Sequence, residues 1–358
     1  MRSSTVNGGD VAAAAAAVEL LKKANRIKPM PRVLVTGATG QQGGATVNAL
    51  LAKGGFEVYA LSRTPSSPSA LALEEKGVKV VQGDFTDKES LEAVLREYKF
   101  SQVFLITDFW QSAKQKHDVE VLHGVNMVDA VKAVDPSIFV LYTSVGDADK
   151  VPATVQHFCS KARVEEHLAA TLTKWAVLRP TSFLENFDAP AMMNPLKKGK
   201  VNGITPPDLK MKYVSTIDIG KAAANILSSP SKYRGMKMEL ATCEHTGLEI
   251  AEALSKASGT ECVYGVNPPV FVMRLLIPDL YAMLKWFESD NYSADVAKGK
   301  ALVGPEAMDA KAWFAQKGQW SNGVKFGEEE PEGESSKGKA VAAVAVAMLA
   351  VAMWYFSG

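Results

Sequence analysis

Residues 33–44 read Val33-Leu34-Val35-Thr36-Gly37-Ala38-Thr39-Gly40-Gln41-Gln42-Gly43-Gly44, and helix-forming residues, Ala45–Ala52, follow directly. An apolar run, a glycine-rich turn and a helix in this order allow backbone N–H groups to approach a pyrophosphate at the helix N-terminus. The spacing is G-x-x-G-x-x-G, carried by Gly37, Gly40 and Gly43. Glycines alone say little. On a strand–turn–helix, with further strands behind it, the pattern predicts a dinucleotide site.

Further strands do follow. Apolar, largely β-branched runs recur at 58–61, 78–81, 103–106, 138–141 and 175–178, with helical stretches between them. After Leu105-Ile106, for example, Val121, Val125 and Val128 repeat at helical spacing. Strands that alternate with helices and are apolar on both faces predict an α/β fold, a Rossmann doubly wound parallel sheet. The expected division is an N-terminal extension at 1–30, a dinucleotide domain at 31–235 and a smaller C-terminal α/β domain at 236–321. Turns between Asn186 and Pro207 could form a lid, and the aromatics of the C-terminal part, through Trp320, are expected to be mostly core.

Strand ends carry the cofactor reading. The second strand ends Leu61-Ser62-Arg63-Thr64-Pro65, with no acid to accept from a ribose 2′-hydroxyl. Arg63 instead offers a fork of donors suited to a 2′-phosphate, so NADP(H) is the expected cofactor. Asp84 and Phe85, after the third strand, are placed for an adenine amino group and ring, although Asp84 reads equally as a cap for a helix at 88–97. The fourth strand ends Thr107-Asp108-Phe109-Trp110, where ligands of such sheets bind.

With these residues in view, the chain resembles the NmrA-like, atypical branch of the short-chain dehydrogenase/reductase superfamily over roughly residues 31–320. The resemblance rests on VLVTGATGQQGG, VQGDFTD, ITDFW, HFCSK, LRPTSFLENF and VSTIDIG. It implies an NADP-binding protein, and several such proteins are regulators or redox sensors. It also implies a nucleotide contact set: Gly37, Ala38, Thr39, Gly40, Gln41, Gln42 and Gly43; Arg63, Thr64, Pro65, Ser66 and Ser67; Asp84 and Phe85; Thr107, Asp108 and Phe109; Lys161; and Phe183, Leu184, Glu185 and Asn186. One position departs from the pattern, because a relative in this branch has a basic residue where Glu120 stands.

Catalytic members of the wider superfamily resemble one another in a Ser followed by Tyr-x-x-x-Lys. Here Ser144 is followed by His157-Phe158-Cys159-Ser160-Lys161, so the lysine is present and the tyrosine is not. Ser144, His157 and Lys161 are the catalytic candidates, with Lys161 read as a ribose ligand. Imidazole could move protons, but a neighbouring ammonium disfavours imidazolium, and His157 is read as a helix-start residue. An intact dinucleotide site beside an incomplete catalytic set leads to the expectation of a cofactor sensor acting through a regulatory partner. The alternative is an NADPH-dependent reductase of a quinone or similar small acceptor.

Composition narrows the rest. With 40 Lys+Arg against 39 Asp+Glu in 358 residues, the chain lacks the basic surplus of a nucleic-acid coat. Its 47% apolar content excludes wholesale disorder. Three cysteines without a CxxC pair indicate neither a disulfide framework nor structural zinc, and fit a reducing compartment. Residues 1–30 hold an alanine run, read as a helical extension, with a transit peptide as the alternative. An acidic linker at 322–339, with Lys337 and Lys339 near its end, precedes 17 uncharged, mostly apolar residues, Ala340 to Phe356, which carry Trp354 and Tyr355 at their far end. This tail is read as a membrane anchor that leaves the folded part facing the cytosol.

Overall fold

The structure is a computed structural model that describes residues 29–188 and 199–316. Its first half alternates strictly: β1 (Arg32–Val35), α1 (Gln41–Lys53), β2 (Glu57–Ser62), α2 (Pro68–Glu74), β3 (Lys79–Gln82), α3 (Lys88–Tyr98), β4 (Gln102–Ile106), α4 (His117–Val134), β5 (Phe139–Thr143), α5 (Gln156–Thr171) and β6 (Trp175–Pro180). The second half is mixed. It runs β7 (Ser182–Phe183), β8 (Lys200–Gly203), β9 (Met211–Val214), α6 (Thr216–Ser228), α7 (Pro230–Tyr233), β10 (Lys237–Leu240), β11 (Cys243–His245) and α8 (Gly247–Ser258). Then come β12 (Val263–Val266), α9 (Val270–Leu276), α10 (Pro278–Ser289), α11 (Val296–Val303) and α12 (Ala310–Gln316).

One seven-stranded parallel sheet, in the order β10-β6-β5-β4-β1-β2-β3, forms the centre. The order reverses between β1 and β4, and it is there that open α/β sheets bind ligands. Side chains alternate across the sheet. Val33, Val35, Phe104, Ile106 and Leu141 pack on one face with Val47 and Leu50 of α1 and Ile219 of α6. Leu34, Val103, Leu105 and Val140 pack on the other with Leu91, Met127, Val131, Val164 and Leu168. Helices on both faces are why the strands read as unbroken apolar runs.

Two expectations shift in detail. Lys237–Leu240 joins the main sheet beside β6, so the chain returns to the first layer after the boundary expected at 235. The buried stripe of α4 is Glu120, His123, Gly124, Met127, Val128, Ala130 and Val131; of the valine repeat it takes in Val128, while Val121 and Val125 are half-buried. Gly124 sets this face: a Cβ there would lie 2.5 Å from Val164, so α5 packs against it.

The remaining elements build a third core around Phe158, Phe187, Trp286, Phe287, Tyr292 and Trp313. A small sheet, β11-β9-β7, and a pair, β12-β8, support it. Asp147, after β5, ties this part to the main sheet: its carboxylate accepts from Ser293 N (2.6 Å), Ser293 Oγ (2.5 Å) and Lys150 Nζ (2.6 Å). Burial works to raise this carboxyl, but the bonds from Lys150 and Ser293 outweigh it and hold it below its usual value. The stability it contributes is therefore present above the ordinary carboxylate value and lost as pH falls through the lowered folded one. Asp147→Asn is expected to cost about 2–3 kcal/mol at neutral pH, with the gap to wild type closing in acid. Urea denaturation at both pH values checks this.

The membrane expectation is corrected. No helix among the described residues is long and apolar enough to cross a membrane. The tail at 340–356 lies outside those residues, as do the linker at 322–339, residues 1–28 of the extension, Trp320, and 189–198 of the expected lid. Seven of the 17 tail residues are alanine, which drives insertion weakly. Membrane attachment thus has no support, and the cytosol-facing placement that depended on it falls too.

Candidate functional site

The turn between β1 and α1 can be formed only with glycine. Gly37 has φ +60°, and a Cβ on it would sit 2.5 Å from Ile106 Cγ2. A Cβ on Gly43 would lie 2.1 Å from the Gly37 carbonyl oxygen. Gly40 N donates to that same oxygen at 2.9 Å and begins α1 with no side chain capping the helix. Backbone donors are left facing a cleft of about 680 Å³. Such a turn accepts the close approach of a pyrophosphate, which any side chain would block.

The cleft runs from the turn across the ends of β2, β3 and β4. Arg63, Thr64 and Ser67 form its rim, with Arg63 exposed. Asp84 accepts from Thr86 N (2.8 Å) and Thr86 Oγ1 (2.9 Å). Burial opposes ionisation of Asp84, but these bonds and the Arg63 charge hold its carboxyl below the usual value. The cap of α3 is Asp87, which accepts from Ser90 N at 3.0 Å, and this removes the cap reading of Asp84. Phe85 stacks on His123, ring centroids 5.8 Å apart. Burial lowers the His123 pKa although Asp84 opposes the shift, and neither ring nitrogen has a hydrogen-bond partner among the described residues. Asp108 holds its own turn, accepting from the backbone of Trp110, Gln111 and Ser112.

Beside the cleft, across Gln41-Gln42 and Asp108-Phe109, a narrower cavity of about 80 Å³ opens under the C-terminal elements. Phe109, Trp110, Phe183, Phe187, Met283 and Phe287 give it apolar walls; Ser144, His157, Lys161 and Asn186 also reach it. Ser144 Oγ is buried and has no hydrogen-bond partner among the described residues. His157 Nδ1 bonds the Asp279 carboxylate, and Asp279 also accepts from Gln156 N at the start of α5. Lys161 Nζ donates to Glu120 Oε1 (2.5 Å) and to the Thr107 carbonyl (3.1 Å). Glu120 is fully buried and takes further bonds from Thr107 Oγ1 (2.8 Å) and Ser160 Oγ. The departure noted in the sequence therefore has a structural role, because Glu120 neutralises Lys161.

Several expected contact residues lie elsewhere. Ala38 is in the core, Gly43 is sealed under the turn, and Thr107 is buried in the Glu120 network. Pro65 and Ser66 are outside the cleft lining. Leu184 is core, and Glu185 faces away, accepting from Thr216 N (2.9 Å) and Trp313 Nε1 (3.1 Å). Sequence reasoning missed His123 and Asp279. A polar residue on the buried stripe of α4 could have flagged the first; no local signal marks the second.

With strand order, glycine turn and cleft in place, residues 29–313 match the sequence profile of the NmrA-like family. The chain belongs to the NmrA-like family. This NmrA-like protein is 24% identical to an NmrA-like family domain-containing protein of Dictyostelium discoideum over 271 residues, 72% of this chain and 87% of that one. An NADPH-dependent quinone oxidoreductase from Escherichia coli, solved with NADPH, is 26% identical with a TM-score of 0.64, over 79% of this chain and 99% of that one. NmrA itself, a negative transcriptional regulator solved with NADP, is 17% identical with a TM-score of 0.63, over 81% and 96% of the two chains. At that identity the likeness to the regulator is one of fold.

Proposed function

We propose that this NmrA-like protein is an NADPH-dependent reductase of a quinone or a similar small acceptor. The observation that carries the reading is the apolar-walled cavity holding Ser144, His157 and Lys161 directly beside the glycine-turn cleft. A protein that only sensed its cofactor would have no need of a second, apolar-walled pocket there. The likeness to the quinone oxidoreductase supports the same reading, whereas the regulator contributes fold alone. The sensor expectation drawn from the missing tyrosine therefore takes second place.

In this reading the turn at Gly37–Gln41 and the start of α1 hold the pyrophosphate. Arg63, Thr64 and Ser67 meet the 2′-phosphate, while Asp84 and Phe85 meet the adenine. NADPH supplies a hydride. The chain's own residues do the rest: Phe109, Trp110 and Phe183 exclude water and shape a slot for a flat acceptor, and Ser144 Oγ offers a hydrogen bond to its oxygen.

Arg63→Ala is expected to weaken NADPH binding about 10- to 100-fold, the worth of one or two charge-assisted bonds, while sparing NADH. Calorimetry with both coenzymes reads the difference, and equal loss of both would remove the 2′-phosphate assignment. Steady-state oxidation of NADPH with a panel of quinones tests the reductase reading. Tight binding without oxidation by any of them would restore the sensor.

A further inference from the structure

We infer that His157 is the proton donor to the reduced acceptor, with Asp279 as its positioning residue, in place of the tyrosine this chain lacks. The inference rests on the reductase reading and adds to it the group that completes the chemistry. Placing a histidine at the start of a helix explains its backbone position but not what its side chain does. The ring is 3% exposed, yet it lines the acceptor cavity, set between Phe109 (5.8 Å between centroids), Trp110 (5.2 Å) and Phe158 (4.8 Å). Asp279, from the first turn of α10, takes the Nδ1 edge. With the Nδ1 proton committed to that carboxylate, the proton that can leave is the one on Nε2. Ser144 Oγ, unbonded among the described residues, shares the cavity and can steady the same acceptor oxygen.

Lys161 is one helical turn from His157, but its charge is met by the buried Glu120. Among the described residues, the ring meets the carboxylate of Asp279 from α10, and the Lys161–Glu120 pair joins α5 and α4 nearby.

The step balances. A hydride brings the quinone two electrons and one proton's worth of hydrogen. A carbonyl oxygen takes the second hydrogen as the Nε2 proton of imidazolium, giving hydroquinone and oxidised cofactor. Neutral imidazole remains, with Nδ1–H still donated to Asp279, and solvent returns the proton once product leaves.

The test uses the full chain, NADPH and menadione. If wild type binds NADPH but does not oxidise it with menadione or any other quinone, the reductase reading itself fails. If wild type turns over, His157→Phe, which keeps the ring packing, should lower kcat about 100-fold or more, the usual size of a general-acid effect, with calorimetric NADPH affinity unchanged. His157→Tyr should recover much of that loss, and added imidazole should partly rescue His157→Ala. Asp279→Asn should lower kcat while leaving KM for menadione in place. It should also abolish the hydrogen-bonded Nδ1 proton signal in the NMR spectrum of the cofactor-free protein. Unchanged kcat in folded His157→Phe overturns the assignment. Should His157→Phe not fold, Asp279→Asn decides: a fall in NADPH affinity equal to the fall in rate would mean a structural role only.

Discussion

Gly43→Ala is expected to abolish measurable NADPH binding and to destabilise the protein by about 3 kcal/mol, at the upper end of ordinary overpacking. The added carbon would lie 2.1 Å from the Gly37 carbonyl oxygen and 2.4 Å from its carbon, both backbone atoms that cannot swing aside. Relief would require α1 to lift from the turn. That movement would also part α1 from α6, whose Gly220 comes so close that a Cβ there would sit 2.4 Å from the Ala45 carbonyl oxygen. A local clash would thus spread to the helix pair that covers one face of the sheet. Denaturant unfolding gives the stability change and calorimetry the loss of binding. Alanine at Gly44, where the nearest contact is 3.3 Å from the Ala38 carbonyl, should be milder in both.

Arg179→Met should be the most damaging single change outside the cleft, at about 3 kcal/mol, because it takes the guanidinium from the fully buried Glu165, which keeps only Lys237 Nζ at 2.8 Å, and from the partly exposed Asp149 and Glu239. The guanidinium at the end of β6 is 4% exposed. It donates to Glu165 Oε1 (2.9 Å) and Oε2 (2.6 Å), to Asp149 (2.9 Å) and to Glu239 (3.1 Å). Burial opposes the Arg179 charge, but these acids outweigh it and raise the pKa. Four elements meet here: α5, β6, β10 and the loop after β5. Two of them carry His157 and the Ser144 segment, so loosening the cluster should also reduce turnover. The double variant Arg179→Met with Glu165→Leu is expected to regain part of the stability, since the fully buried carboxylate goes with its cation and the charges that lose a partner, Lys237, Asp149 and Glu239, are partly exposed. No recovery would mean that packing, and not the stranded charge, sets the cost.

Local information made much of the fold legible. Strand–turn–helix at the glycine turn and apolar runs between helices are short-range signals, and they led to the parallel sheet. The turn residues Gly37 and Gly40, together with Arg63, Asp84 and Asp108, come to one cleft because parallel strands all end at the same edge. What stayed hidden depends on contacts distant in sequence. Lys237-Met238-Glu239-Leu240 is short and charged, and it becomes a strand only by pairing with β6. His157 and Asp279 are 122 positions apart and meet only when α10 docks against the start of α5. The role of Glu120 could not be read from its own helix, whose valine repeat met the buried face only at Val128; Gly124 and Val164 set that face. The apolar tail misled for the opposite reason. Composition alone was asked to stand for an environment.

The central claim is most directly tested in a single turnover. The full-length protein, loaded with one equivalent of NADPH, is mixed with excess menadione, and loss of the reduced nicotinamide absorbance is followed in time. The account predicts that one NADPH is oxidised per chain, with hydroquinone formed in equal amount, far faster than in buffer. NADPH that stays bound, and is oxidised no faster than free coenzyme by menadione or any other quinone tried, would contradict it.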